Sequence, residues 1–276
     1  MHWQTTRFHI DLTRVRVMGI VNLTPDSFSD GGRLAGTAAA LAQCEQMLAD
    51  GADMLDLGGE SSRPGAQPVS VQQELDRVMP VLAGALKLGC PISIDTVKPE
   101  VMHAALALGA DIVNDIGALR AVGAAQAVLE HPGCGVCLMH MRGEPRSMQQ
   151  QPTYTDVVVE VASFLRERMG DLTAQGIAAE RIVLDPGIGF GKSVEHNLEL
   201  LRRQPELLAL GRPLLLGWSR KSTLGAVTGR PVSERLPASL AAALAAVQQG
   251  ARIIRVHDVA ASADALKVWR SAGFCQ

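Results

Sequence analysis

The sequence predicts an α/β protein of the (β/α)8, or TIM-barrel, class, with residues 1–276 forming one domain. Three observations predict it. Short apolar runs alternate with longer Ala- and Leu-rich segments of helical period. Glycine recurs just past the helical segments and leads straight into the next apolar run, the usual helix stop and the mark of one repeated unit. Most helix-to-strand connections are two or three residues long, whereas several strand-to-helix connections are long and rich in Gly, Pro, Asn, Ser and charge. In a barrel these long loops lie at the C-terminal face, where active sites are built. A doubly wound open sheet is the second reading. Eight units in about 250 residues favour the closed barrel, and no Pro- or Ser-rich linker or composition break divides the chain.

In chain order, the first strand is expected over the apolar run 15–21, followed by a loop of hinge and turn residues over 22–32. The helix 37–50 stops at Gly51, the strand 54–57 runs into Gly58-Gly-Glu-Ser-Ser-Arg-Pro-Gly65, and the helix 71–88 stops at Gly89. Strand 92–94 leads to Asp95, helix 99–108 stops at Gly109, and strand 112–113 leads to Asn114 and Asp115. Strand 135–139 runs into His140, helix 156–175 precedes strand 182–184, and that strand opens into a glycine-rich loop over 185–192. Helix 198–208 and Gly211 precede strand 213–216, helix 233–249 stops at Gly250 before strand 253–256, and helix 262–272 is the last element.

Composition sets outer limits. Hydrophobic residues at 47% and charged residues at 20% are ordinary for a soluble globular chain. With aromatics at 3%, Ala, Leu, Val and Ile must fill the core. A net charge of −2 offers no global attraction to nucleic acid or acidic membranes, so any polyanion site must be local. No apolar run approaches the roughly 20 residues of a membrane span, and the first residues lack a signal-peptide pattern. Five cysteines at irregular spacings favour free thiols in a reducing cytoplasm. Cys134 and Cys137 match C-x-x-C, but residues three apart on a strand face opposite sides, and no second pair completes a zinc site. They are expected to be core residues.

Polar groups gather at the strand ends. One Asp or Asn there often only caps the next helix. Such groups at seven or more ends are harder to explain that way, because uncompensated carboxylates beside a core are costly. Asp95, Asn114 and Asp185 suit the edge of a flat, amide-rich heterocycle, while Arg63, Arg220, Lys221, Arg255 and His257 suit an anion. The mouth is therefore expected to take a molecule with a donor-rich ring at one end and phosphate at the other. Taken alone, Gly217-Trp-Ser-Arg-Lys-Ser222 reads as a phosphate cradle.

Familiar motifs fail on inspection. A Walker A loop ending at Lys192-Ser193 would need glycine where Pro186 stands, and G-x-G-x-x-G would need glycine at Lys192. A nucleophile elbow around Ser219 would need glycine at Lys221. His140 and His257 have no metal-ligand partner at useful spacing.

Seven blocks together resemble the dihydropteroate synthase family. They are Met18-Gly-Ile-Val-Asn-Leu-Thr-Pro-Asp-Ser-Phe-Ser-Asp30, Asp56-Leu-Gly-Gly-Glu-Ser-Ser-Arg-Pro-Gly65, Ile94-Asp-Thr96, Val113-Asn-Asp-Ile116, Leu184-Asp-Pro-Gly187, Gly217-Trp-Ser-Arg-Lys-Ser222 and Arg255-Val-His-Asp258. The resemblance covers essentially the whole chain, in family order, and is to the monofunctional bacterial type. It implies condensation of 6-hydroxymethyl-7,8-dihydropterin diphosphate with 4-aminobenzoate to 7,8-dihydropteroate and diphosphate in folate synthesis. By that resemblance, Asp185, Asn114 and Asp95 meet the pterin edge, Lys221 reaches its carbonyl/N5 side, and Arg255 lies against its face. Ile116, Met139 and Phe190 form apolar walls. Asn22, Ser62, Arg63, Arg255 and His257 hold the diphosphate, with Mg²⁺ bound through Asn22. Phe28, Pro64, Ser222 and the Lys221 stem hold 4-aminobenzoate, where sulfonamides compete in the family. Asp95, Lys221 and Arg255 are the residues expected to carry the chemistry. Gly217–Ser222 then becomes the junction of two substrates rather than a phosphate cradle.

The resemblance also implies mobile loops around Phe28 and residues 61–64, and a homodimer through outer helices late in the chain. Departures from the family pattern are small: Ser62 stands where threonine is usual, and Trp218, Thr223 and Ile188 stand at variable positions. A pterin-dependent methyltransferase domain would share the barrel and the Asp/Asn cluster but need no diphosphate pocket. A non-catalytic pterin-binding paralogue is the remaining alternative.

Overall fold

The computed structural model describes residues 1–24, 32–61, 65–143, 148 and 152–274. Eight parallel strands form its centre: β3 (Arg16–Asn22), β4 (Met54–Gly58), β5 (Ile92–Asp95), β6 (Ile112–Asp115), β7 (Gly135–Met139), β8 (Ile182–Asp185), β9 (Leu215–Leu216) and β10 (Ile253–Val256). They pair in chain order, and β10 returns to pair with β3. A bridge between Leu184 and Leu214 closes the remaining gap beside β9. The sheet is therefore a barrel and not the open alternative.

The surrounding helices are α1 (Gly32–Ala49), α2 (Val71–Ala85), α3 (Pro99–Leu108), α4 (Ala124–Leu129), α5 (Val157–Ala174), α6 (Val194–Arg202), α7 (Gln204–Leu208), α8 (Ser222–Thr228), α9 (Leu236–Gln248) and α10 (Val259–Ser271). The glycines expected to stop helices do so through left-handed backbone, with φ of 102° at Gly51, 116° at Gly109 and 97° at Gly250. Differences from the expected elements have local causes. The segment 198–208 is two helices, because Pro205 has no N–H and cannot extend α6 past Arg203. Ser193 starts α6 early through a capping box with His196. The last turn expected of α2 tightens into a 3-10 turn over Leu86–Leu88. α4 and α8 had no periodic signature, being only 6 and 7 residues long.

Inside the barrel, strand alternation separates two environments. Met18, Met54, Ile112, Cys137, Val183, Leu215 and Ile253 form an apolar layer within it. Their neighbours point outward to a separate cluster with the helices, which includes Val17, Leu55, Val113, Val136, Leu184 and Ile254. Cys137 belongs to the inner cluster and Cys134 to the outer one, so the two thiols diverge as expected. Burial pushes the Cys134 thiol up to about 12, the behaviour of an inert core group.

A hairpin that the sequence reading did not anticipate, β1 (His2–Gln4) against β2 (His9–Asp11), closes the N-terminal end of the barrel. Its strands are three residues long and mostly polar, too short for an alternation to show. Trp3, fully buried, joins the inner apolar layer and donates its Nε1–H to the Arg181 carbonyl at 2.8 Å. We expect Trp3→Ala to destabilise the fold by about 3–5 kcal/mol, a loss that urea unfolding measures.

Candidate active site

The same alternation that fills the barrel floor carries polar side chains to its C-terminal mouth. Counting up two residues from the apolar layer reaches Asp56 from Met54, Asn114 from Ile112, Met139 from Cys137, Asp185 from Val183 and Arg255 from Ile253. Above them opens a cavity of about 330 Å³. Asn22, Asp95, Asn114, Ile116, Met139, Asp185, Phe190, Lys221, Ser222, Arg255 and His257 all line it. Phe28, Ser62, Arg63 and Pro64, also expected at the site, lie outside the described residues.

Its base is a largely buried ion network. Arg255 donates through Nε to Asp56 Oδ2 and through Nη2 to Asp95 Oδ2, each at 2.6 Å. Asn114 donates its amide to the same Asp56 oxygen at 3.0 Å. The other Asp56 oxygen has no partner among the described residues. Burial pushes Asp95 up to about 7; Arg255 opposes that shift, and Asp56, Asp115 and Glu74 add to it. The two carboxylates hold the Arg255 guanidinium firmly protonated despite its burial. Asp56 is thus a site residue to which the sequence reading gave no role, although its parity with Asn114 and Arg255 was visible.

Asp185 is buried on the opposite wall, where its Oδ1 accepts the Gly187 N–H at 2.7 Å. Burial raises its pKa; that hydrogen bond and the charges of Lys221, Lys192 and Arg255 pull the other way. Lys221 comes from the β9 end and places its ammonium 4.2 Å from the centre of the Phe190 ring, within cation–π reach. Ser222, next in sequence, begins α8. Ser219, also buried, bonds His257 twice, accepting its backbone N–H at 3.2 Å and meeting its Nδ1 at 3.0 Å. That positioning contact was missed, although Ser219 lies within a quoted block.

Two charged groups at the strand ends are held by partners within the protein. Arg220, expected as an anion-binding cation, is paired with Asp258 through Nε–Oδ2 at 3.0 Å and Nη2–Oδ1 at 2.5 Å. Its φ of 60° is a strained conformation for a non-glycine residue. Asp115, which follows Asn114, has the opposite parity and points away from the cavity. Its carboxylate accepts the Gly117 and Leu119 N–H groups at 2.6 and 2.7 Å, holding a turn in which Ala118 and Leu119 have φ of 54° and 56°.

Asn22 lines the cavity, and its side chain carries an amide oxygen. That donor set fits a hard cation held by few protein ligands and mainly by substrate oxygens.

The fold and this site together are a closed (β/α)8 barrel with carboxylate, amide and cationic side chains gathered around one cavity at its C-terminal mouth. The family model described as "Pterin binding enzyme" matches residues 18–257. The dihydropteroate synthase of Neisseria meningitidis serogroup B is 54% identical, the match covering 98% of this chain and 97% of that protein. Among solved structures, Burkholderia cenocepacia dihydropteroate synthase complexed with 7,8-dihydropteroate superposes with a TM-score of 0.90 at 50% identity, covering 99% of this chain and 96% of that one. The Xanthomonas albilineans dihydropteroate synthase with 4-aminobenzoic acid gives 0.90 at 49% identity, covering 96% and 95%. The chain belongs to the dihydropteroate synthase family.

The ion network makes a prediction independent of substrate. Arg255→Met leaves the Asp56 and Asp95 carboxylates buried without their counter-charge, and should lower stability by about 3–5 kcal/mol. Adding Asp95→Asn should recover part of that loss in chemical denaturation.

Proposed function

We propose that this chain joins the methylene carbon of 6-hydroxymethyl-7,8-dihydropterin diphosphate to the amino group of 4-aminobenzoate, releasing diphosphate and forming 7,8-dihydropteroate. The observation that carries this reading is the placement of Asn114, Asp185, Lys221, Arg255 and Asp95 around one cavity, in a chain whose relatives bind that product and that acceptor.

The pterin ring enters with its amino and ring N–H donors toward Asp185, whose ionised carboxylate accepts from both. Asn114 and Asp95 complete the edge, and Lys221 donates to the carbonyl/N5 side. Ile116, Met139 and Phe190 exclude water from the ring faces. Arg255 is held edge-on by Asp56 and Asp95, which leaves its flat face for stacking on the ring. At the other end Asn22 and His257, with Ser62 and Arg63, hold the diphosphate. Mg²⁺, bound through Asn22 and phosphate oxygens, would supply neutralisation of the leaving group's charge.

As diphosphate departs, positive charge grows on the methylene and spreads into the dihydropterin, with the Asp95 anion close by to favour it. The 4-aminobenzoate amine then attacks from a dry pocket, its carboxylate held at Ser222 and its ring by the Lys221 stem, Phe28 and Pro64. No covalent enzyme intermediate is required. The methyltransferase alternative gives no purpose to the Lys221–Ser222 and His257–Ser219 arrangement. Two further expectations belong to this reading. Homodimerisation is supported by exposed apolar groups on and after α10, Val268 and Phe274. A cytoplasmic location is compatible with the lack, among the described residues, of any helix long and apolar enough to cross a membrane.

The direct test is product formation from the two purified substrates. Full turnover should need 4-aminobenzoate and Mg²⁺ together, and a sulfonamide should compete with 4-aminobenzoate. Binding of the pterin diphosphate without dihydropteroate formation would overturn the enzyme reading. Lys221→Ala should lower kcat/KM by about 10²–10³-fold, whereas Cys134→Ala, in the outer core, should change it by less than about twofold.

Asp95 sets the acid limb. With its carboxyl at about 7, kcat/KM for the pterin diphosphate should rise with pH through that value, because the anion is the working form. Asp95→Asn should abolish the limb at a lower rate. The stability sign is opposite. Between its unfolded value and about 7 the folded chain keeps a proton that the unfolded chain has released, so this group favours folding below that window and loses that contribution as pH rises. Loss of activity without loss of fold on acidification checks both signs.

A further inference from the structure

Lys192 has no role in the reaction as described, yet it is 2% exposed, and a buried ammonium without a purpose is expensive. Among the described residues its Nζ meets no carboxylate. Its partners are the His140 Nδ1 at 2.9 Å, the Gly187 and Phe190 carbonyls at 3.0 Å each, and the His140 carbonyl at 3.3 Å. Burial pulls the lysine down to about 7 against the attraction of Asp185. Burial also pulls the imidazole down to about 2, aided by Lys192 and Arg142, so the ring is a neutral acceptor at Nδ1.

These contacts join two loops at the cavity. The loop after β8 leaves no room for side chains where it crosses the loop after β7. A Cβ on Gly187 would run into the His140 carbonyl oxygen, and one on Gly191 into that of Arg142. Lys192 closes this backbone-to-backbone seam from behind. Gly187, whose carbonyl it binds, also donates its N–H to Asp185. Phe190, whose carbonyl it binds as well, carries the ring beneath the Lys221 ammonium.

We propose that Lys192 is a positioning residue for pterin recognition, clamping the loop after β8 onto His140 so that Asp185 and Phe190 present one fixed edge and wall to the ring. This rests on the pterin reading of the cavity. It assigns Lys192 no contact with substrate; it acts through Asp185 and Phe190, and its charge helps keep Asp185 ionised.

The test is binding of 6-hydroxymethylpterin by calorimetry, with Asp185→Asn as the reference variant and thermal unfolding run alongside. Lys192→Met should weaken ring affinity by about tenfold, while the KM for 4-aminobenzoate in the full reaction moves by less than about twofold. Adding Lys192→Met to Asp185→Asn should cost clearly less than the tenfold it costs alone, because part of its effect acts through Asp185. Wild-type affinity in Lys192→Met, or losses that multiply in full in the double variant, would overturn the proposal. If Lys192→Met does not fold, Lys192→Gln, which keeps two N–H donors, carries the same comparison: about a threefold loss is expected, and none would overturn it. Unchanged binding in Asp185→Asn would instead remove the pterin reading, and this inference with it.

Discussion

Everything at the mouth of this barrel depends on one arginine held between two aspartates. Arg255 reaches across from β10 to Asp56 on β4 and Asp95 on β5. None of the three charges is tolerable alone at that depth, and removing the arginine leaves both carboxylates uncompensated. Together they make a rigid polar floor, with an apolar layer beneath and a cavity above. Asn114 is drawn into the same floor through its bond to Asp56. The fold thus meets the burial cost of these groups mainly through one another, with one Asp56 oxygen left without a partner among the described residues.

That floor divides the labour among the cations. With two carboxylates gripping its edge, Arg255 has a fixed plane and much of its charge balanced, which suits stacking on a ring better than neutralising a diphosphate. Arg220 is balanced by Asp258. On our reading the leaving group's charge therefore falls to His257, Asn22 and its cation, and Arg63. Lys221 stands over Phe190, where on our reading it meets both substrates. The β9 end, which looks like a phosphate cradle in isolation, is on our reading the junction of pterin and acceptor.

Much of this was legible in the sequence because the barrel writes itself as a repeat. Glycine stops such as Gly51 and Gly250 and the long polar strand-to-helix loops gave the architecture, and the strand-end Asp, Asn, Lys and Arg residues gave much of the polar and charged lining of the cavity. Asp56 was within reach: it lies two residues past Met54, as Asn114 lies two past Ile112. Other features were not. The β1–β2 hairpin has no periodicity to read, yet its Trp3 closes the barrel. Lys192 reads as a failed nucleotide loop, and only folding shows its ammonium turned inward onto His140. Arg220 and Lys221 are adjacent cations in the chain, and nothing in the sequence says that Asp258 takes one of them.

The central claim is that this pocket favours a cation at the pterin methylene, formed as diphosphate leaves and before the amine bonds. The most direct measurement is the secondary deuterium isotope effect on kcat/KM for the pterin diphosphate dideuterated at that methylene, read by competition against unlabelled substrate. The account predicts a normal effect clearly above unity, as the carbon flattens in the transition state. A value at or below unity, with chemistry shown to limit kcat/KM, would contradict it and place the amine's attack before departure.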